Sequence, residues 1–79
     1  LEGDVARQDT QGAFYRSIIE GLIRRRRAAK ITQWELARRM GTDQSQISKL
    51  ERGERRLDIV DYVRYCRAIK LDPGELLRS

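Results

Sequence analysis

The stretch Thr32 to Gly53, TQWELARRMGTDQSQISKLERG, constrains this chain more than any other. It holds two short helical patterns hinged at Gly41. Leu36, Ala37 and Met40 recur at helical spacing in the first, and Ile47 and Leu50 do so in the second. Thr32 followed by Glu35 predicts a capping box, in which the hydroxyl accepts from a first-turn N–H while the carboxylate reaches back. Gly41 supplies the φ > 0 residue that lets a helix end and the chain turn sharply. Thr42 then offers a hydroxyl to start the next helix. The pattern predicts helix, tight turn, helix, with the second crossing the first at a steep angle.

If Ile47 and Leu50 face inward, then Gln44, Ser45, Ser48, Lys49 and Arg52 face away from them. These are short or forked hydrogen-bonding side chains, suited to groove edges and phosphates. A polar outer face is also the default for any solvated helix. On residue types alone the two readings weigh about evenly.

The balance shifts because the stretch resembles the helix-turn-helix of the phage repressor and Cro family, often called XRE-type. Gln33, Leu36, Ala37, Gly41, Ile47, Ser48, Leu50, Glu51 and Gly53 stand at that family's spacing. Ala37 sits where the two helices press together. The resemblance continues through LDIVDYVRYCRAIKLDPGELL and so covers nearly everything from Leu22 to Leu77. It implies an all-α chain: a five-helix, lambda-repressor-like DNA-binding domain over residues 13–79, with its helix-turn-helix at helices 2 and 3.

Composition sets outer bounds. Seventy-nine residues allow one domain with a small core. A single cysteine, Cys66, leaves no intramolecular disulfide framework, which suits a reducing compartment. With no apolar run near the roughly 20 residues that cross a bilayer, and no signal-peptide pattern, the expected location is the cytoplasm. The formal charge of +5 is uneven: residues 1–12 carry −2 and the remainder +7. A basic body of this size suits a polyanion, since each phosphate neutralised releases condensed counterions, although basic balance also serves solubility. There is no histidine, no nucleophile–base pattern, no CxxC and no glycine-rich phosphate loop. An enzyme is therefore the least supported reading, with no catalytic residues, cofactor or metal expected.

In chain order, LEGDVARQDTQG has no helical period and reads as a mobile tail whose first residues could be a cloning remnant. Being acidic, it does not suit a minor-groove arm. Helix 1 is predicted from about Ala13 to Ala29, weakened by Gly21 by up to about 1 kcal/mol relative to alanine. The run Arg24 to Arg27 reads as a solvated helix end aided by the macrodipole. Arg25 stands where the family usually has an apolar residue. By resemblance, Arg26 forms a structural ion pair with Glu51. Helix 2 is predicted from Gln33 to Arg39, and the resemblance assigns Gln33 to a backbone phosphate at that N-terminus. Trp34 carries two expectations: its indole N–H can join the phosphate contact, and its ring can cap the core against helix 1, the stronger reading for an apolar side chain. Arg38 and Arg39 are placed outward.

Helix 3, from about Asp43 to Arg52, is the predicted recognition helix. Gln44 is the first base reader, because its amide can bond adenine N6 and N7 together. Ser45 and Ser48 are shorter base-reading candidates, and Lys49 can reach guanine acceptors or a phosphate. Asp43 helps the helix start or accepts from a cytosine amino group. Arg52 and Arg55, flanking Gly53, are assigned to phosphate. Asp58 to Asp61 caps helix 4, whose predicted inner stripe is Ile59, Val63, Cys66 and Ile69 with Tyr62 beside it. Cys66 reads as a small core residue. Asp72-Pro73-x-Glu75 opens helix 5 as cap, N1 proline and capping-box acid, and Leu76 and Leu77 are expected to close the core. No separate effector domain is expected after them.

The leading functional expectation is a sequence-specific regulator of transcription, a repressor by resemblance. It would bind palindromic double-stranded DNA as a homodimer with one recognition helix per major groove. Family members pair through the helix 3–4 connection and the C-terminal helix, which here points to Arg56, Leu57, Tyr65 and Leu71 to Leu77. The alternative is an antitoxin or adaptor-like protein-interaction module on the same fold. RNA is less suited, because the A-form major groove excludes a recognition helix.

Overall fold

A computed structural model describes the backbone of residues 2–78 and the side chains of residues 12–78. Five helices follow one another: α1 Glu2–Ala28, α2 Gln33–Met40, α3 Gln44–Arg52, α4 Ile59–Ala68 and α5 Pro73–Leu77. The described residues contain no strand. Helical backbone begins at Glu2, well ahead of the predicted Ala13, and so runs through the segment read as a tail. That segment lacks an apolar period but also lacks proline, so nothing in it breaks a helix. The side chains of residues 1–11 lie outside the described residues.

Local capping chemistry explains most boundaries. Thr32 Oγ1 accepts from the Glu35 N–H at 3.1 Å. The other half of the predicted box does not form, because the Glu35 carboxylate takes Arg38 and Arg39 instead. Gly41 ends α2 at φ 72°, with its N–H and that of Thr42 bonded to Arg38 and Ala37 carbonyls. Asp43, not Thr42, caps α3: its carboxylate accepts from the Gln46 N–H at 3.0 Å. A carboxylate one residue closer to the helix outcompetes the hydroxyl for the free N–H groups. Asp58 caps α4 by accepting from the Asp61 N–H at 2.8 Å. Asp72 and Pro73 open α5 as predicted, with Asp72 accepting from the Gly74 N–H, but Glu75 pairs with Arg25 of α1. That pair accounts for the arginine where the family usually has an apolar residue.

Two further turns carry no sequence signal. Lys30 (φ 61°) and Lys70 (φ 58°) adopt left-handed backbone after α1 and α4, a place where glycine is usual. In each, the next residue's N–H bonds back five positions, Ile31 to Arg26 and Leu71 to Cys66.

The core is built on Ile18 and Leu22 of α1, Leu36 and Ala37 of α2, Ile47 and Leu50 of α3, Tyr62, Tyr65 and Cys66 of α4, and Ile69 at the C-cap of α4. Gly21 is needed for close approach: a Cβ there would stand 2.9 Å from Leu76 Cδ2, so α5 sits directly on α1. Cys66 is a core residue as predicted, and burial pushes its thiol pKa up. The α4 stripe is turned from the predicted one. Tyr62, Tyr65, Cys66 and Ile69 are inside, Val63 is half-buried, and Ile59 is 71% exposed. Ile59 and Val60 lie in the first turn of α4, outside the core that α2 and α5 build with the rest of that helix. Leu76 packs on the core, whereas Leu77, at the last position of α5, is half exposed.

Candidate nucleic-acid interface

The core contacts of Leu36, Ala37, Ile47 and Leu50 lock α2 against α3 and fix which side of α3 is left outside. That outer side carries Gln44 and Ser48, both half-buried, and Ser45 and Lys49, both exposed. The four predicted base readers therefore lie on one short helix. Ser45 Oγ donates to Asp43 Oδ1 at 2.7 Å. This bond, with the one from the Gln46 N–H, holds the Asp43 carboxyl below its usual pKa.

Behind this face lies a polar node. Arg26 donates from Nε to Glu51 Oε2 at 2.8 Å and from Nη2 to Glu51 Oε1 at 2.9 Å, the predicted bidentate pair. Both side chains are only 7% exposed. Arg26 Nη1 also donates to the Ile31 carbonyl at 2.8 Å, and Tyr65 Oη donates to Glu51 Oε2 at 2.6 Å. Burial raises the Glu51 pKa, but the hydrogen bonds from Arg26, Tyr65 and Gln33 outweigh it, and the net displacement is downward. Burial and the Glu51 hydrogen bond push the Tyr65 phenol upward, so it stays a donor. The node therefore ties α1, α3 and α4 around one ionised carboxylate.

Gln33 connects node and face. Its Nε2 donates to Glu51 Oε1 at 2.9 Å, and its Oε1 accepts from Gln44 Nε2 at 2.8 Å. A residue assigned to phosphate and one assigned to a base are thus brought into direct contact. Trp34, beside Gln33, is 71% exposed. The expectation that it caps the core is corrected: the second residue of α2 faces away from the core that Leu36 and Ala37 join. Arg52 and Arg55 take separate acidic partners. Arg52 pairs with Glu54 at 3.2 Å in solvent, while Arg55 donates to Asp61 of α4 at 3.1 Å.

Two sequence expectations change, one at Tyr65 and Leu71 and one at Arg39. Tyr65, placed in a dimer contact, is 1% exposed and belongs to the node, and Leu71 is also buried. Tyr65 lies three residues from Tyr62 and four from Ile69, so the helical period could have placed it inside. Arg56 stacks over the Tyr15 ring, 4.5 Å from its centroid, and Tyr15 Oη accepts from the Leu57 N–H at 2.7 Å. These contacts pin the α3–α4 connection to α1. Arg39 donates to the Ala68 carbonyl at 2.8 Å, so it links α2 to α4 instead of standing free.

Among the described residues, no helix is long and apolar enough to cross a membrane. None of their acidic, cysteine or histidine side chains group in a way that could hold a metal ion.

The family model described as helix-turn-helix matches residues 22–76, which spans the end of α1 through α5. Among solved structures, an XRE-family like protein from Pseudomonas syringae pv. tomato str. DC3000 is 44% identical, with a TM-score of 0.88 over 92% of this chain and 89% of that one. No curated protein matches the chain. A Gly41-hinged helix pair in this fold, matched by that family over most of its length, places the chain in the XRE-type helix-turn-helix family of DNA-binding regulators.

Proposed function

We propose that the protein is a transcriptional repressor that reads a palindromic operator in double-stranded DNA as a homodimer. Helix α3 enters the major groove, with Gln44 as the principal base reader and Ser45, Ser48 and Lys49 around it. The observation that carries this reading is the Gln33–Gln44 contact at the junction of α2 and α3. Among the described residues Gln44 makes no other side-chain hydrogen bond, so its Oε1 and second N–H remain for a base edge. Gln33 and Trp34 meet a phosphate at the α2 N-terminus, where free N–H groups and the helix dipole favour an anion. Arg52 and Arg55 grip the flanking strand once their acidic partners exchange for phosphate. The +7 balance beyond residue 12 supplies long-range attraction.

For the homodimer, the burial of Tyr65 and Leu71 moves the contact to the start of α4. Ile59 and Val60 are large, exposed and adjacent there, and they directly follow the connection from the recognition helix. A second copy docked two-fold on this small apolar patch sets two recognition helices about one DNA turn, roughly 34 Å, apart.

Selection of binding sites from random duplexes tests both parts. The expected product is an inverted repeat, and Gln44→Ala weakens binding to it by about 1–3 kcal/mol while non-specific binding barely changes. A site without two-fold symmetry rejects the homodimer. A log–log salt dependence with a slope near zero rejects DNA binding itself in favour of an antitoxin-like protein partner.

A further inference from the structure

We infer that the protein carries a second interaction surface, a cationic groove between the end of α2 and the latter half of α4, which takes an acidic segment of a partner protein. The inference goes beyond the reading of DNA by α3 and does not depend on which bases that helix meets.

The groove has a volume of about 300 Å³ and is lined by Arg39, Met40, Arg64, Arg67 and Ala68. Arg39 is fixed in it: Nε donates to Glu35, and Nη1 crosses from α2 to the Ala68 carbonyl at 2.8 Å. Met40 and Ala68 are half-buried and pack against the core, so they give the groove its apolar part. Arg64 and Arg67 are exposed, and among the described residues neither holds an acid.

Local chemistry leaves these charges unanswered. Arg64 stands three residues after Asp61, an ordinary spacing for an ion pair along a helix. Asp61, however, gives its carboxylate to Arg55 at 3.1 Å. Arg67 has Val63, Arg64, Lys70 and Leu71 at the neighbouring helical spacings, so the sequence places no acid beside it. Glu35, which holds Arg39, is shared with Arg38. Like charges on one helix face oppose the helix slightly. The dipole favours Arg67 in the last turn of α4 but does nothing for Arg64 in the middle. The stability of the monomer therefore gives no reason for this cluster.

Three guanidiniums around one groove call for an anion, and carboxylates match their forked donors. Position argues against the DNA that α3 reads. α2 has eight residues, so at about 1.5 Å per residue its end stands roughly 10–12 Å farther from a phosphate held at its start. Shape argues against a small molecule, because sites for such ligands enclose most of the ligand, and here two of the three arginines stand in solvent. A protein segment meets the whole groove from one side, with carboxylates on the arginines and an apolar side chain on Met40 and Ala68. Arginine and methionine are also among the residues that protein interfaces favour.

The test titrates the full chain, labelled with ¹⁵N, with a synthetic helical peptide of leucine, alanine and glutamate whose carboxylates share one face. The amide resonances of Met40, Arg64, Arg67 and Ala68 are expected to move. Arg64→Gln with Arg67→Gln is expected to weaken peptide binding about fivefold or more. Arg24→Gln with Arg27→Gln removes the same charge from α1 and is expected to change it by less than about twofold. Both double variants should bind a DNA duplex with equal affinity. Equal loss of peptide binding in the two variants overturns the proposal, because net charge alone is then at work. Shifts centred on Gln44, Ser48 and Lys49 overturn it too, since the peptide is then standing in for DNA on α3. A larger loss of duplex affinity in the Arg64 and Arg67 variant than in the α1 control gives the groove to the DNA backbone instead. No shift with about 1 mM peptide at low salt, a concentration that detects even weak complexes, overturns it outright.

Discussion

Two glutamates in this molecule each hold arginines, and they do opposite things. Glu35 pairs with Arg38 and Arg39, three and four residues on along the same helix, and the partner Arg38 is 73% exposed. Glu51 pairs with Arg26, 25 residues away on another helix, with both side chains almost closed off from water. Judged by acidity alone, Glu35 is prominent: hydrogen bonds from Arg38 and then Arg39 draw its pKa down to about 2. Acidity is a poor guide here. In open solvent an ion pair is screened and must immobilise two long side chains, so its net contribution is small. At Glu51, burial works against the charge, and four donors from three helices have to overcome it. The first pair decorates a helix that capping and core contacts already define. The second joins α1, α3 and α4 and reaches the proposed reading face through Gln33.

The sharpest way to break the comparison is Glu51→Ala. It strands the Arg26 guanidinium in a site with little water and leaves the Tyr65 hydroxyl without its acceptor. Removing one partner of a buried pair typically costs about 3–5 kcal/mol. Urea unfolding should show a loss of that order. A loss under about 1 kcal/mol would put Glu51 in the same class as Glu35.

This contrast also marks what was legible in the sequence. The helix-turn-helix could be read because its signals are local: Gly41 and Gly53 at helix ends, Asp58 and Asp72 at helix starts, and Leu36, Ala37, Ile47 and Leu50 at helical period. The Arg26–Glu51 pair has no local signal and became legible only through family resemblance. Tyr65 was assigned to a dimer contact by resemblance, and only the completed node shows what its hydroxyl is for. The left-handed turns at Lys30 and Lys70 were illegible because lysine carries no preference for that backbone, so tertiary packing imposes it. Likewise, Thr32 and Glu35 fit a capping box, but nothing local reveals that two arginines outbid the backbone for the carboxylate.

Acid sharpens the comparison at intermediate magnitude. The Glu51 pKa in the folded protein lies below its ordinary 4.5. Its stabilising contribution is therefore complete above about pH 4.5 and is lost as pH falls through the folded value. The melting temperature should fall as pH drops below that point, and Glu51→Gln should flatten the fall while lowering stability at neutral pH. An equal slope in wild type and variant would mean that the node does not govern acid unfolding.

The smallest expected effect is at Glu35, and salt separates it from the rest. Its depressed pKa has the same sign, so any contribution would be present above its unfolded value and lost as pH falls toward about 2. The carboxylate sits in solvent, however, where mobile ions compete for Arg38 and Arg39. Helix α2 keeps its start without it, because the Thr32 hydroxyl caps the Glu35 backbone N–H whatever side chain follows. Glu35→Gln should leave the melting temperature at neutral pH close to wild type in low salt and indistinguishable from it at about 1 M salt, where the Debye length is roughly 3 Å. The Glu51 variants should keep most of their deficit under the same conditions, since ions cannot enter a site that excludes water. A deficit at Glu35→Gln that survives high salt would point instead to the Arg39 bridge onto the Ala68 carbonyl, with Glu35 holding that arginine in place across the α2–α4 contact.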